Sequence, residues 1–577
     1  MIRTRRPSRP SRCNRERSWP GAVACLLMFL TIVCTSATMM VQNVGPLTMP
    51  DPDMHVFASW ALATGQSRNP IEPRVDRNGN TLRKQPITGP VAVLGRGSHM
   101  RNALLSDILY DEEQQIVIPQ DKALTKQRRA LTAAMAQDVV TVRSARANQY
   151  FPIAYAPQAT GIRLALSKNL SLWDALTWGR IANLTTFVAI CCIAIMFAGR
   201  WRWAFLIAAA NPMSVFCASS LMADSTLIAL GLLIGSLTVY AAQRGGAGRP
   251  VPAPILVVAG LVTIVLASVK IVYVPLIIPL LLLPNRTVIW WRKLMLTVSV
   301  LAAVSALAFW WSQYQYVAPS PRTDLAWNQQ WMLAHPWEVV ITIGINLLMY
   351  TWRVPFDEMF PYLAPIVLAY ILTGRGQRHD ADININASNA TAARGPVATA
   401  WRWLTTHTMT ISLILVYGLS MGATFGALML TWTKGSTFTH GIASIGGFQG
   451  RYLWPLLGML PLPWLDAGMH KKIDDIRKPA QSESSAVTTA DAAPTALAMP
   501  TTPVETAAPV ETAEDETSSQ LATTDQHTTQ QPVSSTIPAA RLAEKPAEQP
   551  SRKSAAKPAK SANQSTPRKK KNRKRRR

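Results

Sequence analysis

Long stretches without a single charge recur along this chain, and they leave few folds open to it. Residues 20–41 contain no charged residue. At about 1.5 Å per residue, a helix of that length crosses a hydrocarbon core of about 30 Å. Further apolar segments follow near 178–198, 201–218, 220–241, 254–269, 271–284, 293–314, 338–351, 361–373, 408–431 and 451–468. Only 16% of the 577 residues are charged, against about 25% in a soluble domain, while 49% are hydrophobic. A bilayer admits only structures whose backbone hydrogen bonds close internally. The expected fold is therefore an all-α polytopic integral membrane protein with about ten transmembrane helices.

Two polar stretches dilute the apolar ones and hold the mean hydropathy to +0.11. The expected organisation is a basic cytoplasmic N-terminus (1–19), a first transmembrane helix (20–41) and a large extracytoplasmic loop or domain (42–150). A polytopic domain (151–469) and a basic cytoplasmic tail (470–577) complete it. The outer loop carries turn residues at Asn78-Gly79-Asn80 and a helix-like stretch near 121–147. The tail is rich in Ala, Thr, Ser, Pro, Glu and Gln, cannot bury a core, and is expected to be disordered. The first span reads as an uncleaved anchor, because its apolar run outlasts a signal-peptide core and many spans follow.

The net charge is +26, which in isolation suggests a nucleic-acid partner. Its distribution argues against that. The basic residues crowd the N-terminus, the short connections at Arg200-Trp201-Arg202, Arg244 to Arg249 and Asn285 to Lys293, and the extreme C-terminus. That is the pattern of cytoplasmic loops in a polytopic membrane protein. Alternating the crossings places all three connections inside and both termini in the cytoplasm. It requires segment 338–351, followed by Trp352-Arg353-Val354-Pro355, to be re-entrant or to lie along the surface. The terminal run Arg568 to Arg577 suits anionic lipid headgroups at the inner leaflet. Six cysteines without a Cys-x-x-Cys pair give neither a disulfide framework nor a cysteine metal site.

The same topology gathers chemistry on the outer face. Pro50-Asp51-Pro52-Asp53-Met54-His55 follows the first span, and Tyr150 to Pro157, including Tyr155, closes the outer loop. Arg180, Asp224, Lys270 and Gln449-Gly450-Arg451-Tyr452 fall at outer ends of apolar segments. Ionisable groups at such positions mark functional sites. Each also has a plain structural reading: Arg180 and Arg451 as interfacial anchors, Lys270 as a loop charge, Asp224 as a helix cap, and Asp51 and Asp53 as turn residues. Functionally, Arg and Lys neutralise phosphate. A carboxylate takes the proton of an attacking hydroxyl, and Asp-x-Asp can ligate a divalent cation such as Mg or Mn through oxygen.

Taken in order, these residues resemble a predicted bacterial polytopic membrane family of unknown function. Its pattern is Pro-Asp-Glu-x-x-His after the first helix, a tyrosine- and proline-rich segment, an Arg at the second helix, a Ser-x-x-x-Asp hairpin and a late Gln-Gly-Arg-Tyr-x-x-Pro. The matches here are Pro50-Asp51 with His55, Tyr150 to Pro157, Arg180 with Asn183, Ser220 with Asp224, and Gln449 to Tyr452 with Pro455, over residues 20–468. The chain departs from the pattern at Pro52, where Glu is usual. The family is similar in topology to the GT-C glycosyltransferases, which implies a GT-C-like fold and a polyprenyl-phosphate sugar as donor. It also implies an envelope glycan or lipid as acceptor and Asp51 as the base.

The expected function is transfer of that sugar in the bacterial cytoplasmic membrane. Asp51, Asp53 and His55 are the catalytic candidates, and Asp51 and Asp53 would hold a divalent cation if one is used. Arg180, Lys270 and Arg451 are expected at the donor phosphate, with Tyr150, Tyr155, Asp224, Gln449 and Tyr452 in support. The competing readings are a transporter or flippase of lipid-linked sugars and a non-catalytic membrane scaffold.

Overall fold

The computed structural model describes residues 18–49, 52–70, 72–75, 81–84, 86–94, 109–110, 116–117, 133, 136–143, 150–312, 324–353, 361–374, 400, 403–404, 406–433 and 445–466. The chain divides into Met1–Ala490 and Asp491–Arg577, and the second unit, which holds most of the expected disordered tail and its basic run, lies outside the described residues.

Helix α1 (Ser18–Asn43) is the charge-free first span. Instead of the expected loop, a second helix, α2 (Pro52–Ala63), follows it, with Pro52 at its first position. Proline suits that position because the first helical N–H has no intrahelical acceptor. Residues 55–61 of α2 are all buried, including Val56 and Ala61.

The outer loop is not all helical. Three antiparallel pairs lie within it: β1 (Glu72–Val75) with β2 (Thr81–Lys84), β3 (Pro86–Pro90) with β6 (Val139–Arg143), and β4 (Leu109–Tyr110) with β5 (Ile116–Val117). The β1–β2 pair flanks Asn78-Gly79-Asn80, which lies outside the described residues. Of the helix expected near 121–147, residues 121–132, 134–135 and 144–147 lie outside the described residues, and Val139-Val140-Thr141-Val142 is strand, a β-branched run that packs better on a pleated surface than in a helix. Ile87 is paired with Val142 there, and both are buried.

From residue 156 onward the described elements are helical: α3 (Ala156–Ser167), α4 (Leu172–Phe197), α5 (Arg202–Ala209), α6 (Pro212–Ala218), α7 (Asp224–Gly246) and α8 (Ala253–Val269). After a 3₁₀ segment (Ile271–Ile277) come α9 (Ile278–Leu282), α10 (Trp290–Ser312), α11 (Leu325–Ala334) and α12 (Pro336–Arg353). Then follow α13 (Pro361–Gly374), α14 (Thr408–Thr431) and a 3₁₀ segment at Gly450–Met459. Local signals set several starts: Ser171 accepts from the Asp174 N–H at α4, and Asn211 from the Met213 N–H ahead of Pro212 at α6.

Among the described residues five helices are long and apolar enough to cross a membrane, α1, α4, α7, α10 and α14; a sixth arises if α11 and α12, bent by 103°, are one span. The ten expected from hydropathy are not matched by ten long helices: α8 and α13 are short, and proline interrupts three further segments. Pro212 splits segment 201–218 at Asn211, Pro275 and Pro279 interrupt 271–284, and Pro455, Pro461 and Pro463 interrupt 451–468. Each removes an N–H donor and crowds the preceding turn.

Helix α7 is the central element. Within its membrane-length window 94% of residues are buried, against 22% for α1 and 17% for α10. It packs on the 450–459 segment with backbones almost touching: a Cβ on Gly231 would lie 2.1 Å from the Pro455 carbonyl oxygen, and one on Gly235 would lie 2.2 Å from that of Gly458. Small residues permit such approaches between membrane helices, where van der Waals packing replaces the hydrophobic effect as the driving force. Replacing Gly235 by Leu is expected to cost at least about 1–3 kcal/mol, because the obstruction is backbone and cannot rotate away. Gly344→Ala, where an added Cβ meets nothing within 4 Å, is expected to gain about 0.5–1 kcal/mol from helix propensity. Unfolding midpoints in detergent check both.

Candidate functional site

The site begins with the connection before α7. Asn183 of α4 directs its amide nitrogen at the carbonyl oxygens of Ser220 (2.8 Å) and Ala218 (3.2 Å), and its Oδ1 accepts from the Ser225 hydroxyl at 2.8 Å. Gln158 of α3 donates to the Met222 carbonyl at 3.0 Å. Arg180 donates through Nε to the Ser219 carbonyl, through Nη1 to Val44 (2.8 Å) and through Nη2 to Met40 (3.1 Å). Its guanidinium thus joins the C-terminal end of α1, where carbonyls lack intrahelical partners, to the 219–223 turn. Arg180 is 3% exposed. Its guanidinium stands in a clamp of backbone carbonyls.

The clamp presents Asp224 at the first position of α7, 4% exposed. Its carboxylate is given to two cations. Lys270 Nζ donates to Oδ1 at 2.8 Å, and Arg451 Nε lies 3.1 Å from Oδ2 as an ion pair off the hydrogen-bond line. Lys270 follows α8 in extended conformation (φ −146°, ψ 109°), which ends that helix and turns the ammonium toward α7. Arg451 opens the 450–459 segment, whose N-cap is Gln449. The Gln449 Oε1 is buried and has no hydrogen-bond partner among the described residues.

Tyrosines surround Lys270. Its Nζ lies 4.6 Å from the ring centre of Tyr452 and 5.8 Å from that of Tyr150, within range of cation–π attraction. Tyr273, one 3₁₀ turn after Lys270, donates its hydroxyl to the Tyr452 carbonyl at 2.8 Å. Burial alone would disfavour the ammonium; the Asp224 carboxylate at 2.8 Å and the tyrosine faces offset that cost.

His55 reaches the cluster through the tyrosines. Its Nδ1 is 2.9 Å from the Tyr155 hydroxyl, and the Tyr155 ring centre is 6.4 Å from that of Tyr150. Both His55 and Tyr155 are buried. The structure thus brings His55, Tyr150, Tyr155, Asp224, Lys270, Arg451 and Tyr452 into one neighbourhood, with Arg180 behind it. Asp51 lies outside the described residues, and of Asp53 only its place in the first turn of α2 is described. Among the described residues no three His, Cys, Asp or Glu side chains gather to hold a metal ion.

On one side of Lys270 a cavity of about 410 Å³ opens between the α8–Tyr273 stretch, α10 and α14. Lys270 is the one charged residue among the described residues lining it. The remainder is apolar or aromatic, with Phe151, Trp311 and Trp432 on the wall, apart from the hydroxyls of Ser268, Thr424, Thr431 and the tyrosines. Tyr273, Trp311 and Gln158 carry no motif that distinguishes them from packing residues in the sequence. A tyrosine three residues after a membrane-boundary lysine is the only hint of the first.

The family profile that matches the chain covers residues 26–460 and describes a predicted membrane protein, DUF2142. The chain belongs to the DUF2142 family. No curated protein and no solved structure matches it. The DUF2142 match takes in every residue of the cluster, from His55 to Tyr452, and ends before the C-terminal tail.

Removing one partner of a buried pair strands the others, so Asp224→Asn is expected to lower stability by about 3–5 kcal/mol. Tyr155→Phe removes a single hydrogen bond from His55 and is expected to cost about 1–2 kcal/mol. Thermal unfolding in detergent measures both. An Asp224→Asn protein as stable as its parent would deny the ion pairs any structural weight.

Proposed function

We propose that the chain is a GT-C-type membrane glycosyltransferase that moves a sugar from a polyprenyl-phosphate donor to an extracytoplasmic glycan or lipid acceptor of the bacterial envelope. The observation that carries the reading is the cavity beside Lys270: apolar walls of membrane helices ending in a single ammonium. Such a site suits a ligand that is mostly hydrocarbon and bears one anionic group. In this reading the short apolar helices complete about ten crossings, both termini are cytoplasmic, and the basic tail attracts anionic headgroups.

The acceptor hydroxyl oxygen attacks the anomeric carbon of the donor. The bond from that carbon to the phosphate oxygen breaks, and the phosphate leaves with the electron pair. Lys270 and Arg451 stabilise the charge that builds on it, and the hydroxyl proton passes to a base. Asp51 is the proposed base, with Asp53 one residue beyond the proline as its alternate. His55, hydrogen-bonded to Tyr155, is the third catalytic candidate. Asp224 holds both cations in position, Gln449 and Tyr452 support them, and Arg180 keeps its clamp on the turn that carries Asp224. A divalent cation, if used, would be held by Asp51 and Asp53 and would neutralise phosphate charge.

A transport reading is favoured by charges near the middle of the membrane and by paired broken helices. Helix α7 has no charge between Asp224 and Arg244, whereas proline does break three of the apolar segments. The test is transfer from radiolabelled polyprenyl-phosphate sugars by purified protein. Asp51→Asn is expected to lose about 10²–10⁴-fold in kcat, and Lys270→Gln to raise KM for the donor. Flipping of a lipid-linked sugar by the unaltered protein without covalent transfer would overturn the proposal, as would wild-type transfer by both variants.

A further inference from the structure

A second cavity of about 430 Å³ adjoins the one at Lys270, with Ile271 and Val272 on the lining of both, and lies between the 271–281 stretch, α10 and α14. Its lining is apolar apart from Thr297, whose hydroxyl is already given to the Lys293 carbonyl of its own helix at 2.9 Å. The helices show the same continuity. On α10, Trp311, Ala308, Leu307 and Val304 line the first cavity, and Leu301, Val300 and Thr297 line the second. These positions step by three and four along one face. On α14 the stripe runs from Thr431 through Leu428 and Thr424 to Ala423 and Leu419.

The stripe on α10 covers fifteen residues from Thr297 to Trp311, a rise of about 21 Å over its fourteen steps. That is most of a hydrocarbon core about 30 Å thick. Its far end is open on the side: Leu301 is 54% exposed and Leu419 50%. A groove that starts at an ammonium, runs lengthwise between two spans and opens sideways toward lipid is shaped for a chain already dissolved in the bilayer.

We infer that the groove between α10 and α14 holds the hydrocarbon chain of a long polyprenyl phosphate whose phosphate rests at Lys270. The inference deepens the proposed function and rests on it. It assigns discrimination of chain length to side chains remote from the reacting atoms. A short prenyl phosphate fills only the first cavity, and a long one occupies both. Because lipid tails are as apolar as the groove, the preference comes from packing against these particular side chains.

The experiment uses the full chain in nanodiscs with long-chain polyprenyl phosphate and geranyl phosphate as probes. Leu301→Trp changes a half-exposed side chain, and Ala423→Leu fills the groove from α14. Both are expected to weaken the long-chain ligand by about tenfold relative to geranyl phosphate, and retained geranyl phosphate binding shows that the variants are folded. Lys270→Gln is expected to weaken both ligands. A diazirine midway along the long chain is expected to label residues 297–304 and 419–424. Unchanged long-chain affinity in both groove variants, with Lys270→Gln still weakened, would overturn the groove and leave the phosphate site standing. Unchanged binding of both ligands by Lys270→Gln would remove the phosphate site itself. Equal competition by phosphatidic acid would overturn the single-chain occupant.

Discussion

Asp224 ties together three stretches of chain that are far apart in sequence: the start of α7, the break after α8 at Lys270, and the 450–459 segment at Arg451. Taking charges out of water is costly, and here the cost is met by close geometry and by tyrosine faces turned toward the ammonium. The surrounding structure serves that arrangement. Asn183, Gln158 and Arg180 bond the carbonyls of the turn before Asp224, and the glycines of α7 let the 450–459 backbone come near enough for Arg451 to reach. Without the ion pairs, the buried Asp224 carboxylate would lose both of the cations that offset its desolvation.

Proline gives the architecture its second organising constraint. Hydropathy sees only that a segment is apolar, so 201–218, 271–284 and 451–468 all read as spans. The prolines inside them turn each into short helical pieces. The breaks lie beside the charged cluster: the first leads to the Asp224 turn, and the other two adjoin Lys270 and Arg451. Irregular backbone at membrane depth is tolerated where protein surrounds it or where it lines a cavity.

Several parts of the site were legible in the sequence for identifiable reasons. Charge alternation between loops put Asp224, Lys270 and Arg451 at the same ends of their segments, and they meet. The part played by Arg180 was not legible, because its partners are carbonyl oxygens, which every residue carries and no pattern of side chains announces. The helix α2 was hidden behind Asp51-Pro52-Asp53, since the residues that favour turns also favour helix starts. The strand at 139–143 was read as helix although its own Val-Val-Thr-Val run argued otherwise; a short apolar stretch in a mixed loop is ambiguous by periodicity alone. The tyrosines around Lys270 could be named, but their order about the ammonium depends on the fold.

The near-complete burial of α7 has a consequence for how the chain can vary. A helix facing lipid, such as α1 or α10, asks of most positions only that they be apolar, so Leu, Ile, Val and Phe are close to interchangeable there. Helix α7 touches protein on every side, and at Gly231 and Gly235 it touches backbone. Two helices of similar hydropathy therefore carry very different amounts of information per residue. Substitutions in α7 will be filtered by shape, and those in α1 and α10 by little more than solubility in hydrocarbon.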